Sequence, residues 1–298
     1  MSGRGRSQKS LDLVDAAVTI LQEIQPCSVR AVCYRLFTLG LITSMAKSET
    51  NRVGSLLTRA REEGDIPWAW ITDETREPAR VSAWENPEAY VEAVSRSYRR
   101  DRWIDQPEWI EIWSEKATIS GTIMPVVRAY GLTLRVMHGY GSATAIHEAA
   151  EETQTAGRTM TVLYVGDWDP SGLHMSEVDL PRRLAEYGGA IGITRLALIE
   201  EDIRGNLPWF PASAKSQDPR HRWFIEKYGQ RCWELDALSP VVLRDRVEQV
   251  ILALLDKAAW ARAENVERAE RESLSTILNR WPSISRQASK CSDGEAGR

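Results

Sequence analysis

Apolar positions change rhythm along the chain, and the change divides it. In "LDLVDAAVTILQEI", Val14, Ala17, Val18, Leu21 and Ile24 recur at helical spacing and share one face. "CSVRAVCYRLFTLGLI" predicts a second helix with Ser28 at its N-cap and Gly40 at its stop, and "SETNRVGSLLTRAREEGDIP" a third that ends at Gly64. The aromatic, β-branched run "WAWITDETREP" then suits a strand or wing. Three helices and a small β element match a winged helix, a helix-turn-helix variant; a helical bundle capping the next domain fits the same pattern. "NPEAYVEAVSRSYRRDRWIDQP" predicts a connecting helix that ends in Arg96, Arg99, Arg100 and Arg102, a charge run read as a solvated face.

From residue 108 strand-like and helical segments alternate. "EWIEIWSE", "LTLRVMHGY", "MTVLYVGD" and "ITRLALI" read as strands, with helices at "TISGTIMPVVRAYG", "SATAIHEAAEET" and "SGLHMSEVDLPRRLAEYG" between them. Such alternation predicts an α/β fold with a mostly parallel sheet and a domain boundary near residue 105. The chain then returns to helix: Leu243, Val247, Val250, Ile251, Leu254, Leu255 and Ala258 form an apolar stripe after Ser239-Pro240. Beyond Trp260, Glu264–Arg268 and Glu267–Arg271 are spaced as pairs on an exposed face.

Composition narrows the class. With 298 residues the chain can build two domains, and 43% hydrophobic and 27% charged residues are ordinary for a globular protein. A net charge of −4 gives no global basic field, although a local patch suffices for nucleic acid. No window approaches the roughly 18 apolar residues of a membrane span. Cys27, Cys33, Cys232 and Cys291 show no paired spacing, which speaks against a disulfide framework or zinc site and fits the cytosol.

The chemistry concentrates in "TVLYVGDWDPSG", residues 161–172. In open parallel sheets ligands sit beyond the carboxyl ends of the strands, and three acids fall at such ends: Glu115 after "IEIW", and Asp167 and Asp169 after "TVLYVG". Residues two apart in extended chain point to the same side, so the aspartates can converge, and Glu115 joins them if the two strands are neighbours. Crowded carboxylates repel unless a cation intervenes. Oxygen ligands select a hard ion, magnesium with manganese as substitute, and the strongest use of such a site is phosphoryl transfer. Alternatively Asp169 is only the N-cap of "PSGLHM". A haloacid-type phosphatase fits poorly, since Pro170-Ser171 follow and the pair lies on the third strand. A glycosyltransferase has no further support.

These residues resemble a known family. A strand-end glutamate followed some fifty residues later by DxD looks like a Toprim domain. "DWDPSG" after "LYVG", with "WSEKATISG" upstream, is similar to the A subunit of topoisomerase VI and the related meiotic break-forming transesterase. In that superfamily the Toprim domain follows a winged helix carrying a tyrosine shortly after an arginine, and "SVRAVCYRLFTLGLI" stands in the corresponding place. The resemblance covers roughly residues 10–200 and implies magnesium-dependent DNA cleavage. Glu115, Asp167 and Asp169 would bind the metal, Tyr34 would attack a DNA phosphate, and Arg30 would assist there. It further implies that Arg35, Arg52, Arg59 and Lys116 contact DNA, and that the enzyme is a nucleoid-associated, cytoplasmic homodimer with scope for an additional protein subunit. The helical wheel supports Tyr34 independently: Val29, Val32, Cys33, Leu36 and Phe37 form the apolar face, and Arg30 and Tyr34 stack off it, as an accessible phenol beside a cation should. A surface tyrosine with an incidental arginine neighbour fits the same wheel.

Cys33 stands where relatives commonly have an aromatic residue, and the chain is shorter than the topoisomerase subunit and contains no ATPase module, so gated strand passage does not follow. The other reading is a catalytically silent DNA-binding or assembly subunit of a larger complex. The expected organisation is a flexible basic arm at 1–9, a winged-helix domain with connecting helix at 10–104, a Toprim domain at 105–238, helices at 239–285 and a disordered tail at 286–298. Gly139, Gly141 and Ser142 form a strand-to-helix turn beside His138, and Lys215, Arg220 and Arg222 mark a further segment that could touch DNA, as could Trp68, Trp70 and Arg76.

Overall fold

The computed structural model describes residues 7–71, 82–137 and 143–295, with the side chains of 87, 88 and 277–295 left aside. Chain contacts divide it into two compact units: Met1–Arg76 with Glu108–Leu254, and Glu77–Pro107 with Leu255–Arg298.

The first unit opens with α1 (Gln8–Ile24), α2 (Val29–Thr38) and α3 (Lys47–Glu62). Their apolar faces meet in one core through Leu21, Ile24, Val32, Leu36, Val53 and Leu57. Ser28 caps α2 by accepting the Ala31 N–H at 3.2 Å, as its position predicts. Gly40 closes the helix at φ +70°, a left-handed conformation that glycine adopts without strain. After Pro67, which cannot donate to a strand ladder, Trp68–Trp70 forms a 3-10 turn rather than the expected strand, and Ile71 makes a single parallel bridge to Cys27. The rest of the expected wing, Arg76 included, lies outside the described residues, as do His138, Gly139, Gly141 and Ser142.

The α/β part of the same unit follows the predicted alternation. Strands β1 (Trp109–Ser114), β2 (Thr133–Val136), β3 (Met160–Val165) and β4 (Ile191–Ala197) form a parallel sheet in the order β2-β1-β3-β4. Both central strands are buried along nearly their whole length, as a parallel sheet covered on both faces requires. Helices α5 (Ser120–Tyr130), α6 (Ala143–Ala156), α7 (Pro170–His174), α8 (Leu180–Glu186) and α9 (Glu200–Arg204) supply the connections. Trp113, Val162 and Tyr164 pack with Ile146, Ala149, Leu180 and Leu184 of α6 and α8. A two-stranded antiparallel pair, β5 (Phe210–Pro211) and β6 (Arg231–Cys232), flanks α10 (His221–Tyr228). Helix α11 (Pro240–Leu254) buries Leu243, Val247 and Ile251 and ends the unit. Buried Glu111 of β1 is held by Arg135 of β2 at 2.6 Å and by the Trp113 indole N–H at 2.8 Å, a structural ion pair.

The second unit pairs α4 (Pro87–Ser97) and the segment after it with α12 (Lys257–Glu295). The charge run after α4 is not simply solvated: Arg100 reaches Glu270 at 2.8 Å and Arg102 reaches Glu267 at 2.7 Å. Glu267, expected on an exposed face, is buried between Arg102 and Arg271 because both cations need its carboxylate. Helix α12 runs to Glu295. Among the described residues no helix is long and apolar enough to cross a membrane.

Leu163, at the centre of β3, is 1% exposed. Leu163→Ala should cost about 2–5 kcal/mol, read as a lower urea midpoint at unchanged slope.

Candidate active site

The winding of the sheet chooses the location. From β1 the chain turns outward to β2, and from β3 outward on the other side to β4, so the crevice beyond the carboxyl ends of β1 and β3 is the topological switch point. The register pairs Ser114 with Val165, and the Glu115 N–H donates to the Val165 carbonyl at 3.0 Å. The two strands therefore end level, and the Glu115 carboxylate accepts the Asp167 N–H at 2.9 Å. Neighbouring strands were the condition for Glu115 to join the aspartates, and they are neighbours.

Two glycines make room for that carboxylate. A Cβ on Gly172 would fall 2.4 Å from the Asp167 carbonyl oxygen and 2.7 Å from Glu115 Oε2, and one on Gly166 would fall 2.9 Å from the same Oε2. Asp167 Oδ1 accepts the Leu235 N–H at 2.8 Å and Oδ2 meets the Lys116 ammonium at 2.7 Å. Asp169 is the N-cap of α7, accepting from the Gly172 N–H and the Ser171 hydroxyl at 2.8 Å each, while its Oδ2 faces Lys215 at 3.0 Å.

Sequence reasoning missed a second acidic pair. The chain pairs Trp168 with Trp233, which sets the turn Leu235–Ala237 beside the Asp167–Asp169 loop. Asp236 lies 3.4 Å from the Lys116 ammonium, and Glu234 takes the Arg30 Nε–H at 2.6 Å. The only sequence signal was "ELD" after a short strand, a Glu-x-Asp spacing like that of the aspartates. Arg195 was also missed. Half-buried with its guanidinium over the Tyr164 ring, it donates to the carbonyls of Gly166 at 2.9 Å and Leu198 at 2.8 Å, to the Ser176 hydroxyl at 2.7 Å, and to the Asp167 carbonyl. It has no carboxylate among these partners, so it fixes the backbone of the loop.

Four carboxylates (Asp167, Asp169, Glu234 and Asp236) thus share three side-chain cations, Lys116, Lys215 and Arg30, while the fifth, Glu115, makes no ion pair with them. The imbalance appears in the acidities. Burial, then Asp167 and Asp169, push Glu115 up to about 7. Burial and Asp169 raise Asp167 against the pull of Lys116. Asp169 goes the other way: burial opposes ionisation, but the Gly172 N–H and Lys215 hold its carboxyl below the usual range.

The expected accessibility of Tyr34 is corrected by the structure. It is 6% exposed, not an accessible phenol, because the Glu234–Asp236 segment packs on the side of α2 that the wheel left open. Arg30 does sit over its ring, 5.7 Å from the centroid. Burial and then Glu234 nevertheless raise the phenol well above its ordinary value, outweighing Arg30, so the group is held neutral. Arg35, Arg52 and Arg59 pair with Glu23, Glu49 and Glu63 at 4.0, 2.8 and 2.7 Å on helix surfaces. Arg220 and Arg222 pair with Asp218 and Glu226.

Among the described residues no group of three or more His, Cys, Asp and Glu side chains is arranged to hold a metal ion; lysine ammoniums stand on the outward oxygens of both aspartates. No family model, no curated protein and no solved structure matches the chain.

Two outcomes follow from this geometry. Gly172→Ala should disrupt the edge, since a methyl group overlaps backbone that cannot swing aside; the expected result is a lower melting temperature and altered near-UV dichroism from Trp168. The pH dependence has a definite sign. Glu115 binds its proton more tightly in the folded chain than in the unfolded, so this stabilisation is complete below about pH 4.5 and lost as pH rises through about 7. In metal-free buffer, urea denaturation should show wild type losing stability over that range relative to Glu115→Gln. Parallel curves would contradict the assignment.

Proposed function

We propose that the protein is a magnesium-dependent DNA-cleaving enzyme that combines a winged-helix domain with a Toprim domain, as in topoisomerase VI A subunits. One observation carries the reading: Glu115, Asp167 and Asp169, from two neighbouring strands, converge at the switch point of a parallel sheet in a cluster short of positive charge.

The donor chemistry, though not the present arrangement, suits a hard divalent cation, magnesium or manganese as its substitute. The donors are all oxygens, Glu115 is poised to lose its proton near neutrality, and the buried Tyr164 hydroxyl within electrostatic reach of Glu115 has no hydrogen-bond partner among the described residues. Glu115, Asp167 and Asp169 would hold the ion once Lys116 and Lys215, whose side chains are 26% and 41% exposed, turn outward. When bound, magnesium supplies positive charge to the phosphoryl group in the transition state. Lys116 and Lys215, displaced from the aspartates, then face the DNA phosphates as free cations.

The burial of Tyr34 favours water as the nucleophile. A water oxygen bonds to phosphorus, one ester P–O bond breaks, and the departing oxygen takes a proton from solvent as the attacking water releases one. Transesterification is the second reading, favoured by Arg30 over the Tyr34 ring and by Lys116, which acts on both Tyr34 and Asp167. There the phenol oxygen bonds to phosphorus and its proton leaves to solvent, one ester P–O bond breaks as the departing oxygen takes a proton from solvent, and a phosphotyrosyl link remains. In a homodimer two such sites would cut both strands. A silent DNA-binding subunit is the remaining alternative, and the intact acid cluster argues against it.

Supercoiled DNA with magnesium separates these outcomes. Asp167→Ala should abolish nicking, a fall of at least about a hundredfold on the scale of a lost charge-stabilising group. Tyr34→Phe should retain nicking if water attacks and lose it, with the protein–DNA adduct, if the phenol attacks. DNA binding without cleavage in every condition would leave only the silent subunit.

A further inference from the structure

Two prolines bracket a short strand that displays an indole close to the acid cluster. In "PWFP", residues 208–211, neither proline can donate to a ladder, and Phe210, which precedes Pro211, is held extended. The segment forms β5 against β6, pairing Phe210 with Cys232 and Pro211 with Arg231. Alternation sends Phe210 and the buried Cys232 to one face and Trp209, Arg231 and Trp233 to the other. There the Arg231 guanidinium lies 5.7 Å from the Trp209 ring centre and 5.6 Å from that of Trp233. Trp233 is buried, and its indole N–H donates to the Leu207 carbonyl at 3.2 Å, which fastens the inner end of the stack. Trp209 is 53% exposed even with Arg231 over its ring.

Arg231 is also an uncommitted cation. Lys227 lies over the rings of Trp223 and Tyr228 but is bound to Glu177 at 2.6 Å. Arg231 makes no ion pair among the described residues, and its contacts are the two indoles. The stack is joined to the acid cluster through the backbone. Trp168, between Asp167 and Asp169, exchanges hydrogen bonds with Trp233 at 2.9 and 3.0 Å. The Ala212–Lys215 turn that follows β5 brings Lys215 to Asp169 at 3.0 Å. An exposed indole presents a π-face to a flat ring, and a guanidinium beside it attracts an anion attached to that ring. Together these demands describe a nucleotide whose base is free to stack, because inside a duplex both faces of a base are already covered.

We propose that Trp209 and Arg231 form a stacking site for an unpaired nucleobase and its phosphate, so that the strand entering the acid cluster is single or locally opened. The choice of ligand rests on the DNA-directed reading above, but binding here requires neither metal nor cleavage. The base stacks on the exposed part of the Trp209 indole, Arg231 meets the adjoining phosphate, and Trp233 holds the guanidinium from behind. Every base has a π-face, so the site selects for strand opening and not for sequence.

Anisotropy of a short labelled oligothymidylate in EDTA tests the site apart from cleavage, beside an abasic strand of the same length and a duplex closed by hairpins at both ends. Wild type should bind the oligothymidylate more tightly than the abasic strand. Trp209→Ala should lose about fivefold or more on the oligothymidylate, the low end for one lost base stack, with the abasic strand and the closed duplex unchanged. Trp209→Phe keeps a ring and should recover most of that loss. Arg231→Gln should make the salt dependence on the single strand shallower by about 0.7, one phosphate contact. Wild-type affinity in Trp209→Ala, or an equal loss on the abasic strand, overturns the stacking site. An equal loss on the closed duplex overturns the preference for unpaired strands, and an unchanged salt slope in Arg231→Gln removes the arginine from the site. Failure to nick supercoiled DNA, with the Trp209-dependent binding intact, would sink the cleavage reading alone.

Discussion

A shortage of positive charge at one edge of a parallel sheet governs the acid cluster. Five carboxylates are gathered where two strands end level, and three side-chain cations cannot satisfy them. Desolvated like charges raise one another's proton affinity, and Glu115, the acid without a lysine in contact, carries most of that burden. Glycine at 166 and 172 is demanded by the same crowding, since its carboxylate occupies the space a side chain would fill. Arg195 meets the other side of the constraint by tying down the carbonyls of the loop, so repulsion among the acids cannot open it.

Asp169 shows why capping and ligation are not exclusive assignments. Its Oδ1 fixes the first turn of α7 through the Gly172 N–H, and its Oδ2 points to an exchangeable ammonium. The cap orients the carboxylate, and the orientation leaves one oxygen for chemistry. A helix N-terminus also stabilises the charged form, which agrees with the depressed proton affinity of this acid beside its two raised neighbours.

The strands and the three acids were legible in the sequence because both follow from local rules. Buried strands read as apolar runs, and strand-end residues inherit their place from the register. The level pairing of β1 with β3 is all that was needed to bring Glu115 to Asp167. Tyr34 was not legible. A helical wheel records the face a helix turns to its nearest neighbours, here α1 and α3, and is blind to a second partner contributed from far along the chain. The polar side of α2 is covered by a polar partner, Glu234 and Asp236, and no hydrophobic periodicity announces such a contact. Lys215 was noticed as a cation but not as the companion of Asp169, for the same reason of distance along the chain.

The separation has a consequence in time. Arg30 and Glu234 are 204 residues apart. At a synthesis rate of roughly 5–20 residues per second, a nascent chain carries α2 for roughly 10–40 seconds before its acidic cover exists. Throughout that interval Tyr34 and Arg30 lack the Glu234–Asp236 segment that covers them in the folded chain. The Arg30–Glu234 contact therefore forms late, by the closing of one of the longest loops in the molecule.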